Sequence, residues 1–294
     1  MGTLVTIQVV REASGVAAAM DRAFGWFDEI EDRCSRFRPQ SELMRLGAQA
    51  GVPFAASAIL FEAVRFALMV AEESGGAFDP TVGGRMAARG FNREHRSGEA
   101  VGDGAAEDGA SYRDVEIDAE RRTITLRRPL TLDLGAVAKG LAVDAAAREL
   151  GAFGDFAIDA GGDLYLAGCN PQGAPWSVGI RHPRAGEELI ARLRVSGGAV
   201  CTSGDYERPA VEAGPDGGEH HILDPRTGAS PRSVASATVL APGAMLADAV
   251  ATAVFVLGPE EGIGLLDRLG LEGLIVTPEL QRFETAGICH VAQD

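Results

Sequence analysis

Apolar residues recur at helical spacing in several long segments of the chain. Within Val16–Cys34, for example, Ala23, Phe27 and Ile30 would lie on one face of an amphipathic helix. A second such segment ends at Gly75-Gly76, which is a typical helix stop. The predicted helices are Val16–Cys34, Leu60–Glu73, Val137–Leu150, Ala244–Leu257 and Glu260–Leu269.

Short alternating or β-branched segments predict strands between these helices. A turn at Gly161-Gly162 divides the segment from Phe156 to Ala167, and an Asp-Ala-Glu-Arg turn joins Val115–Ile117 to Thr123–Leu126 as a hairpin. The other predicted strands are Leu4–Val10, Trp176–Ile180, Ile190–Val195, Ala199–Ser203, Ala235–Leu240 and Gly273–Val276.

Polar or glycine-rich segments predict loops at Ser35–Ser41, Gly83–Gly109 and Ala210–Glu219. Hairpins and isolated helices are mixed along the chain, without a regular βαβ alternation. We therefore expect an α+β fold with mixed sheets and packed helices. Because no linker in the sequence separates two parts, we expect a single domain over residues 1–294. This domain could consist of two closely packed subdomains.

The charge of the chain excludes some classes of partner. It has 27 basic and 42 acidic residues, a formal net charge of −15 over 294 residues. A nucleic-acid surface needs clustered Lys and Arg, and an anionic membrane surface is disfavoured for the same reason. With 46% hydrophobic and 23% charged residues, the composition is that of an ordinary globular protein.

The cysteines and the N-terminus bear on the compartment. Cys34, Cys169, Cys201 and Cys289 form no CxxC or zinc-type spacing, and we expect free thiols. Met1–Val10 lacks the features of a secretory signal, and no apolar run reaches the length of about 20 residues that a membrane span needs. We expect a soluble, cytoplasmic protein. The alternative is an exported or membrane-anchored protein whose leader is missing from this sequence.

Two glycine-bracketed segments carry residues suited to a phosphorylated ligand. In Gly75–Gly83, Asp79 precedes a proline, and the flanking glycines permit a close backbone approach. In Thr131–Gly140, a strand leads through Gly135 into a helix N-terminus that suits a phosphate, and Lys139 adds a positive charge. The structural alternatives are an Asx turn after a helix cap and a strand-to-helix turn with a solvated lysine.

Two further segments carry residues suited to proton transfer and metal binding. His220 and His221 are adjacent in a predicted strand and point to opposite faces, so one of them could serve as a general base; for His220 we favour a structural role. Asp248 and Thr252 are four apart on an apolar helix, so their oxygens share one face and suit Mg²⁺. The structural alternatives are a turn after the histidines and a threonine that bonds its own backbone.

Together these segments fit a Mg²⁺-assisted reaction on a phosphate ester or anhydride. Their order resembles that of the ApbE-type FAD:protein FMN transferases, and although no single motif is decisive, the ordered set is specific. The matching stretches span nearly the whole chain: Met1–Thr3, Ser35–Leu43, Gly76–Gly83, Leu132–Gly140, Ala160–Asp163, Thr202–Arg208, His221–Gly228 and Ala247–Thr252.

The resemblance implies an ApbE-like fold and an enzyme that cleaves the FAD pyrophosphate with Mg²⁺. FMN would pass to a Ser or Thr hydroxyl within a short small-residue motif of an acceptor protein, typically a flavin-carrying subunit of a redox membrane complex, and AMP would be released. By the same resemblance, Asp248, Thr252 and the backbone carbonyl of Ala136 would hold the metal, and His221 would activate the acceptor hydroxyl. The implied FAD contacts are Met1, Phe37, Ala77, Phe78, Asp79, Lys139 and Ile222.

Two other functions are compatible with the same residues. In the first, water replaces the acceptor, and the protein is a Mg²⁺-dependent FAD pyrophosphatase that produces FMN and AMP. In the second, the protein binds or stores FAD without catalysis. The Asp248 and Thr252 pair argues against storage, since storage needs no hydrolytic metal.

Overall fold

The computed structural model describes residues 2–94, 98, 100–101, 109–186, 188–207 and 219–288. The chain divides into two compact units, and neither is continuous in sequence. The first comprises Met1–Gly2, Asp28–Ala138 and Arg208–Pro231. The second comprises Thr3–Phe27, Lys139–Glu207 and Arg232–Asp294.

In the described residues, helices and strands are mixed along the chain, and neighbouring strands of each sheet run antiparallel. The α+β prediction is therefore confirmed. The helices α1 to α7 are Val16–Cys34, Glu42–Gly47, Ala58–Glu73, Gly83–Ala88, Gly135–Leu150, Ala244–Leu257 and Pro259–Leu269. The strands β1 to β12 are Val5–Val9, Phe54–Ala55, Val115–Asp118, Thr123–Leu126, Phe156–Ala160, Asp163–Ala167, Trp176–Arg181, Leu189–Val195, Gly197–Gly204, Ser236–Ala241, Glu272–Val276 and Arg282–Glu284.

The second unit is built on a seven-stranded sheet with the order β1-β5-β6-β9-β10-β11-β12. On one face, α6 packs against β6, β9 and β10. On the other, the β7–β8 hairpin packs its apolar side chains, such as Val178 and Leu193, against Val200 and Leu274 of the sheet. Side chains alternate along a strand, so Val200 faces the hairpin while its neighbour Cys201 faces α6, where its thiol lies 3.7 Å from the Ala244 carbonyl.

Helix α6 is the buried centre of this unit. Its sequence is almost wholly Ala, Val, Leu, Met and Phe, and most of its residues are buried. No side chain of its own caps its N-terminus. Instead, Asp144 on α5 accepts hydrogen bonds from the backbone N–H groups of Ala244, at 2.6 Å, and Met245, at 3.0 Å. A carboxylate of α5 therefore satisfies the first donors of α6 and fixes the register between the two helices.

The first unit contains a three-stranded sheet with the order β2-β4-β3 and helices α2, α3 and α4. Ser41 caps α2 by accepting from Met44 N, and Ser57 caps α3 by accepting from Leu60 N. The buried Glu42 carboxylate accepts from both the N–H and the hydroxyl of Ser57, at 2.7 and 2.6 Å. These bonds tie the start of α2 to the start of α3.

Most predicted elements are present, but one loop prediction is wrong. The strand predicted before Gly135 and the strand predicted at His220 and His221 are also absent from the described residues. Within Gly83–Gly109, the first residues form helix α4, Gly83–Ala88. A Cβ on Gly83 would lie 2.6 Å from the Thr131 carbonyl oxygen, so this glycine permits close packing of a helix instead of marking a surface loop. Helix α2 and the short strands β2 and β12 were not predicted. Of the predicted loop Ala210–Glu219, residues 210–218 lie outside the described residues.

The described cysteines, Cys34, Cys169 and Cys201, are free thiols, as expected, and Cys289 lies outside the described residues. Burial, assisted by the nearby carboxylate of Glu42, raises the pKa of Cys34 to about 12. In the part of the chain that the structure describes, no helix has both the length and the apolar composition needed to cross a bilayer.

The bonds from Asp144 to the N-terminus of α6 lead to a stability prediction. The substitution Asp144→Ala leaves two backbone donors at a buried helix start without their acceptor. We expect the free energy of unfolding to fall by about 1–2 kcal/mol, the usual cost of losing a helix cap. Urea unfolding followed by circular dichroism measures this change.

The matched control is Asp267→Ala, which removes the same group from an exposed position on α7. We expect it to change the free energy of unfolding by less than about 0.5 kcal/mol. Equal losses in the two variants would show that Asp144 is not a specific cap of α6.

Candidate active site

The hairpin between β5 and β6 places Asp163 at the start of a central strand. Gly161 and Gly162 form its two-residue turn with φ values of 66° and 95°, which only glycine adopts readily. A Cβ on Gly161 would lie 1.8 Å from the Thr3 hydroxyl, so both the turn and its packing require glycine there. Ala160 pairs with Asp163 across the hairpin, and Asp163 is 1% exposed.

Helices α5 and α6 approach so closely that side chains from both reach the same part of the unit. A Cβ on Gly140 would lie 2.5 Å from backbone atoms of Ala244 and Met245. Lys139 precedes this glycine on α5, and Asp248 lies one turn into α6. The absence of a side chain at residue 140 therefore permits the contact that brings Lys139 near Asp248.

Lys139 and Asp163 form a nearly buried ion pair, with Nζ 2.6 Å from Oδ2. Burial by itself lowers the pKa of Lys139. The carboxylates of Asp163 and Asp248, with the hydrogen bond to Asp163, outweigh this and raise its pKa well above the ordinary value. Lys139 is therefore a cation at neutral pH, and its 26% exposed side chain keeps part of its surface accessible to a ligand.

Cys201 lies in the same cluster and stays uncharged. Burial is the main cause that raises the pKa of its thiol well above the ordinary value, and the charges of Asp163 and Asp248 add to it. The neutral thiol adds no charge to two carboxylates and one ammonium. The cluster of Lys139, Asp163 and Asp248, which we call the charged cluster, therefore carries one net negative charge.

Asp248 and Thr252 lie on the same face of α6, as their spacing predicts. Asp248 is 7% exposed and lies in the interior of the helix. The Thr252 hydroxyl donates to the Asp248 carbonyl at 3.2 Å and also lies 3.2 Å from the Ser203 hydroxyl on β9. The hydrogen bond from Thr252 to its own helix backbone, which was the structural alternative for this pair, is therefore present. The lone pairs of the Thr252 oxygen can still serve as a hard-oxygen ligand.

The donor set of the second unit fits Mg²⁺. The charged cluster is net negative, and the Asp248 carboxylate and Thr252 hydroxyl offer oxygen ligands on one helix face. Among the described residues, there is no group of three or more His, Cys, Asp or Glu side chains that could enclose a metal ion. Mg²⁺ commonly binds through one or two carboxylates, with water and substrate phosphates completing its shell, so it does not need such a group.

In the first unit, the loop Ala77–Asp79 is buried and tightly bonded. Asp79 Oδ1 accepts from Thr81 N and Oγ1, at 2.8 and 2.7 Å, while Oδ2 accepts from Tyr112 N at 2.9 Å. Burial raises the pKa of Asp79, although these hydrogen bonds and Arg85 oppose the shift. The Asx turn of the structural alternative is thus present, and the Asp79 carboxylate fixes the shape of the loop.

Arg36 is a buried residue that the sequence analysis missed. Its guanidinium donates to Asp133 Oδ2 and to the Phe91 carbonyl, both at 2.5 Å, and stacks 4.1 Å from the centre of the Phe37 ring. The other carboxylate oxygen of Asp133 accepts from Gly135 N at 2.7 Å and so caps α5. Arg36 therefore connects Phe37 to the start of α5, in whose first turn Ala136 lies.

The histidines differ in their surroundings, but the strand predicted for them is wrong, since the described residues 219–235 contain no strand. His220 is buried, its Nε2 lies 3.0 Å from the Pro231 carbonyl, and its backbone N–H and carbonyl both bond the Ser230 hydroxyl. These bonds close the loop that follows and give His220 the structural role we favoured. His221 is half-buried, and Ile222 is buried.

Arg85 on α4 connects two of the predicted segments in the first unit. It donates to the Pro225 carbonyl at 2.5 Å, and its charge acts on Asp79. The segment after His221 is thereby held near the Phe78-Asp79 loop. Met1 lies outside the described residues.

The structure therefore brings together Lys139, Asp248 and Thr252 in the second unit. In the first unit, Arg85 links the Ala77–Asp79 loop to the segment after His221 and Ile222, and Arg36 links Phe37 to the start of α5. The roles of Asp163, Arg36 and Arg85 were missed. For Asp163, the Gly-Gly turn before it was a sequence signal that could have indicated its role. For Arg36 and Arg85 there was no such signal, because their hydrogen-bond partners are far away in the sequence.

Comparison with known proteins identifies the family. Residues 1–275 match the sequence profile of the ApbE family. A protein of Treponema pallidum named FAD:protein FMN transferase is 35% identical, over 98% of this chain and 85% of that protein. A protein of Escherichia coli K12 with the same name is 32% identical, over 88% of this chain and 76% of that protein.

Solved structures agree with the sequence comparison. The crystal structure of the ApbE protein of Thermotoga maritima superposes with a TM-score of 0.82 at 27% identity, over 97% of this chain and 96% of that one. The flavin transferase ApbE from Vibrio cholerae gives the same TM-score, 0.82, and identity, 27%, over 97% of this chain and 94% of that one. In both sequence and fold, the chain belongs to the ApbE family.

Proposed function

We propose that this protein transfers FMN from FAD to a Ser or Thr hydroxyl of an acceptor protein, in a Mg²⁺-dependent reaction that releases AMP. The observation that carries the proposal is the charged cluster, whose Asp248 shares a helix face with Thr252; Lys139 offers a cation for a phosphate, and Asp248 and Thr252 offer oxygens for a metal. The names of the relatives from Treponema pallidum and Escherichia coli, FAD:protein FMN transferase, support it.

The residues of α5 and α6 would hold the metal and the pyrophosphate. Asp248, Thr252 and the Ala136 carbonyl would bind Mg²⁺, whose charge offsets the negative charge on the phosphate oxygens. Lys139 follows Ala136 by one helical turn, so both lie on the same face of α5. Its charged ammonium would bind a phosphate oxygen and orient the pyrophosphate.

A further set of residues would contact FAD. We assign these contacts to Met1, Phe37, the Ala77-Phe78-Asp79 loop, Lys139 and Ile222. Arg36 fixes the Phe37 ring by stacking on it, and the bonds of Asp79 fix the loop. These contacts would be preorganised, so binding FAD would require little ordering of side chains.

His221 would act as the general base for the acceptor. The acceptor oxygen attacks the phosphorus on the flavin side, the bond from that phosphorus to the bridging oxygen breaks, and AMP leaves. The proton of the hydroxyl passes to His221, since a hydroxyl is a weak nucleophile until a base removes its proton. We expect the acceptor to be a flavin-carrying subunit of a redox complex with a small-residue Ser/Thr motif.

The proposal is tested by incubating the protein with FAD and Mg²⁺, with and without an acceptor domain that bears this motif. We expect the intact mass of the acceptor to increase by one FMN group and AMP to appear, both only with Mg²⁺. AMP and free FMN without a labelled acceptor would favour the pyrophosphatase. Bound, unchanged FAD under all conditions would favour a storage protein.

The substitution Asp248→Ala tests the metal assignment. We expect the rate of FMN transfer to fall by more than about 100-fold, because the carboxylate ligand of the cation is lost. The rate is measured from the intact mass of the acceptor. The control, Asp267→Ala on the exposed side of α7, should transfer FMN at the wild-type rate. Normal turnover by a folded Asp248→Ala variant would refute the assignment.

The substitution His221→Ala tests the general base. We expect transfer to slow by about 10²- to 10⁴-fold, the usual contribution of a general base, with little change in the dissociation constant for FAD. Flavin fluorescence reports FAD binding, and acceptor mass reports transfer. His182→Ala, at the end of the β7 and β8 hairpin, is the matched control. Equal losses of binding and transfer in His221→Ala would make His221 a binding residue.

A further inference from the structure

We propose that Ser203 is a positioning residue that holds the Thr252 hydroxyl in the orientation in which its oxygen can bind a divalent cation; this inference rests on the proposed function. None of the site assignments above gives Ser203 a role. Both residues lie in the second unit, Ser203 near the end of β9 and Thr252 in the interior of α6.

The side chain of Ser203 faces α6. Side chains alternate along β9, so Ser203 shares a face with Cys201, whose thiol lies beside the Ala244 carbonyl of that helix. Ser203 is 8% exposed, and its Oγ lies 3.2 Å from Thr252 Oγ1. Its backbone pairs with Ala237 of β10, so a central strand of the sheet sets the position of the Ser203 hydroxyl.

The orientation of the Thr252 side chain is not set by the helix alone. A threonine in a helix divides between two χ1 rotamers, because its hydroxyl can bond a carbonyl of the preceding turn. Thr252 makes this bond to the Asp248 carbonyl, at 3.2 Å. The contact with Ser203 gives the same oxygen a second partner and favours the observed rotamer over the other. Thr252 is half-buried, so part of its surface remains accessible to a ligand.

The hydrogen bonds of Thr252 leave room for a cation. A threonine hydroxyl has one proton and two lone pairs. If its proton goes to the Asp248 carbonyl, Ser203 donates to one lone pair and the other remains. If its proton goes to Ser203, both lone pairs remain. Ser203 can therefore hold this oxygen without using up its capacity as a ligand, whereas without Ser203 the binding of a cation must also order the side chain.

The test measures Mn²⁺ binding to nucleotide-free protein, from the electron paramagnetic resonance signal of free Mn²⁺, and separately the Mg²⁺ concentration for half-maximal FMN transfer. In Ser203→Ala we expect the Mn²⁺ dissociation constant to rise about 10-fold, within the range for residues that orient metal ligands. The half-maximal Mg²⁺ concentration should rise with it.

The matched control is Thr202→Val. It removes the neighbouring hydroxyl of β9, which lies on the opposite face of the sheet, 2.8 Å from the Thr238 hydroxyl. We expect it to change neither the Mn²⁺ dissociation constant nor the half-maximal Mg²⁺ concentration.

A double variant separates positioning from a direct or structural role. Thr252→Val keeps the branched shape but lacks the hydroxyl, and it should weaken Mn²⁺ binding at least as much as Ser203→Ala does. Adding Ser203→Ala to Thr252→Val should weaken binding by no more than about 2-fold further, because Ser203 acts through the missing hydroxyl. A serine that bound the cation itself, or that only stabilised the fold, would give additive losses.

The outcomes distinguish the inference from the proposed function. A wild-type protein without Mg²⁺-dependent FMN transfer would overturn the proposed function. Normal transfer by the wild type, with unchanged Mn²⁺ affinity and Mg²⁺ dependence in a folded Ser203→Ala variant, would overturn the inference alone. Additive losses, or a wild type that transfers FMN but binds no Mn²⁺ without nucleotide, would also overturn it.

Thermal melting identifies a variant that fails to fold. If Ser203→Ala does so, Ser203→Cys takes its place with the same expectations, because a thiol is a weak hydrogen-bond donor and a weak acceptor.

Discussion

The close contact between helices α5 and α6 is the constraint on which the candidate site of the second unit depends. At Gly140 the backbone of α6 occupies the space that a Cβ would need, and at Asp144 a carboxylate of α5 caps the first donors of α6. Together these contacts fix the register of the helices. Lys139 lies next to Gly140 on α5, and Asp248 lies one turn after Ala244 on α6. The contact between Gly140 and Ala244 therefore brings the two side chains close enough to interact.

The charged cluster shows why a mostly buried lysine needs a permanent partner. Lys139 is mostly buried, and an isolated ammonium there would tend to lose its proton. The carboxylates of Asp163 and Asp248 keep it charged, while the neighbouring thiol of Cys201 is held neutral by burial. One net negative charge remains near Asp248 and Thr252.

The first unit is organised in a different way, by arginines whose partners are distant in the chain. Arg36 joins Phe37 to the capping residue Asp133, 97 positions away, and Arg85 reaches the Pro225 carbonyl, 140 positions away. A sequence pattern detects local spacing, such as that of Asp248 and Thr252, but it has no means of detecting pairs like these. The motifs around them were found, whereas the bonds that hold the motifs in place were not.

The sequence by itself determined the helices with clear periodicity, such as Val16–Cys34, the glycine turn before Asp163, and the family. These features depend on neighbours within a few positions of the chain. Tertiary structure alone decided that Gly83 begins a helix, that Asp79 also accepts from the distant Tyr112 N–H, and that Lys139 pairs with Asp163. The physical reason is that burial and long-range packing set the energies of these choices, and both arise only when distant segments meet.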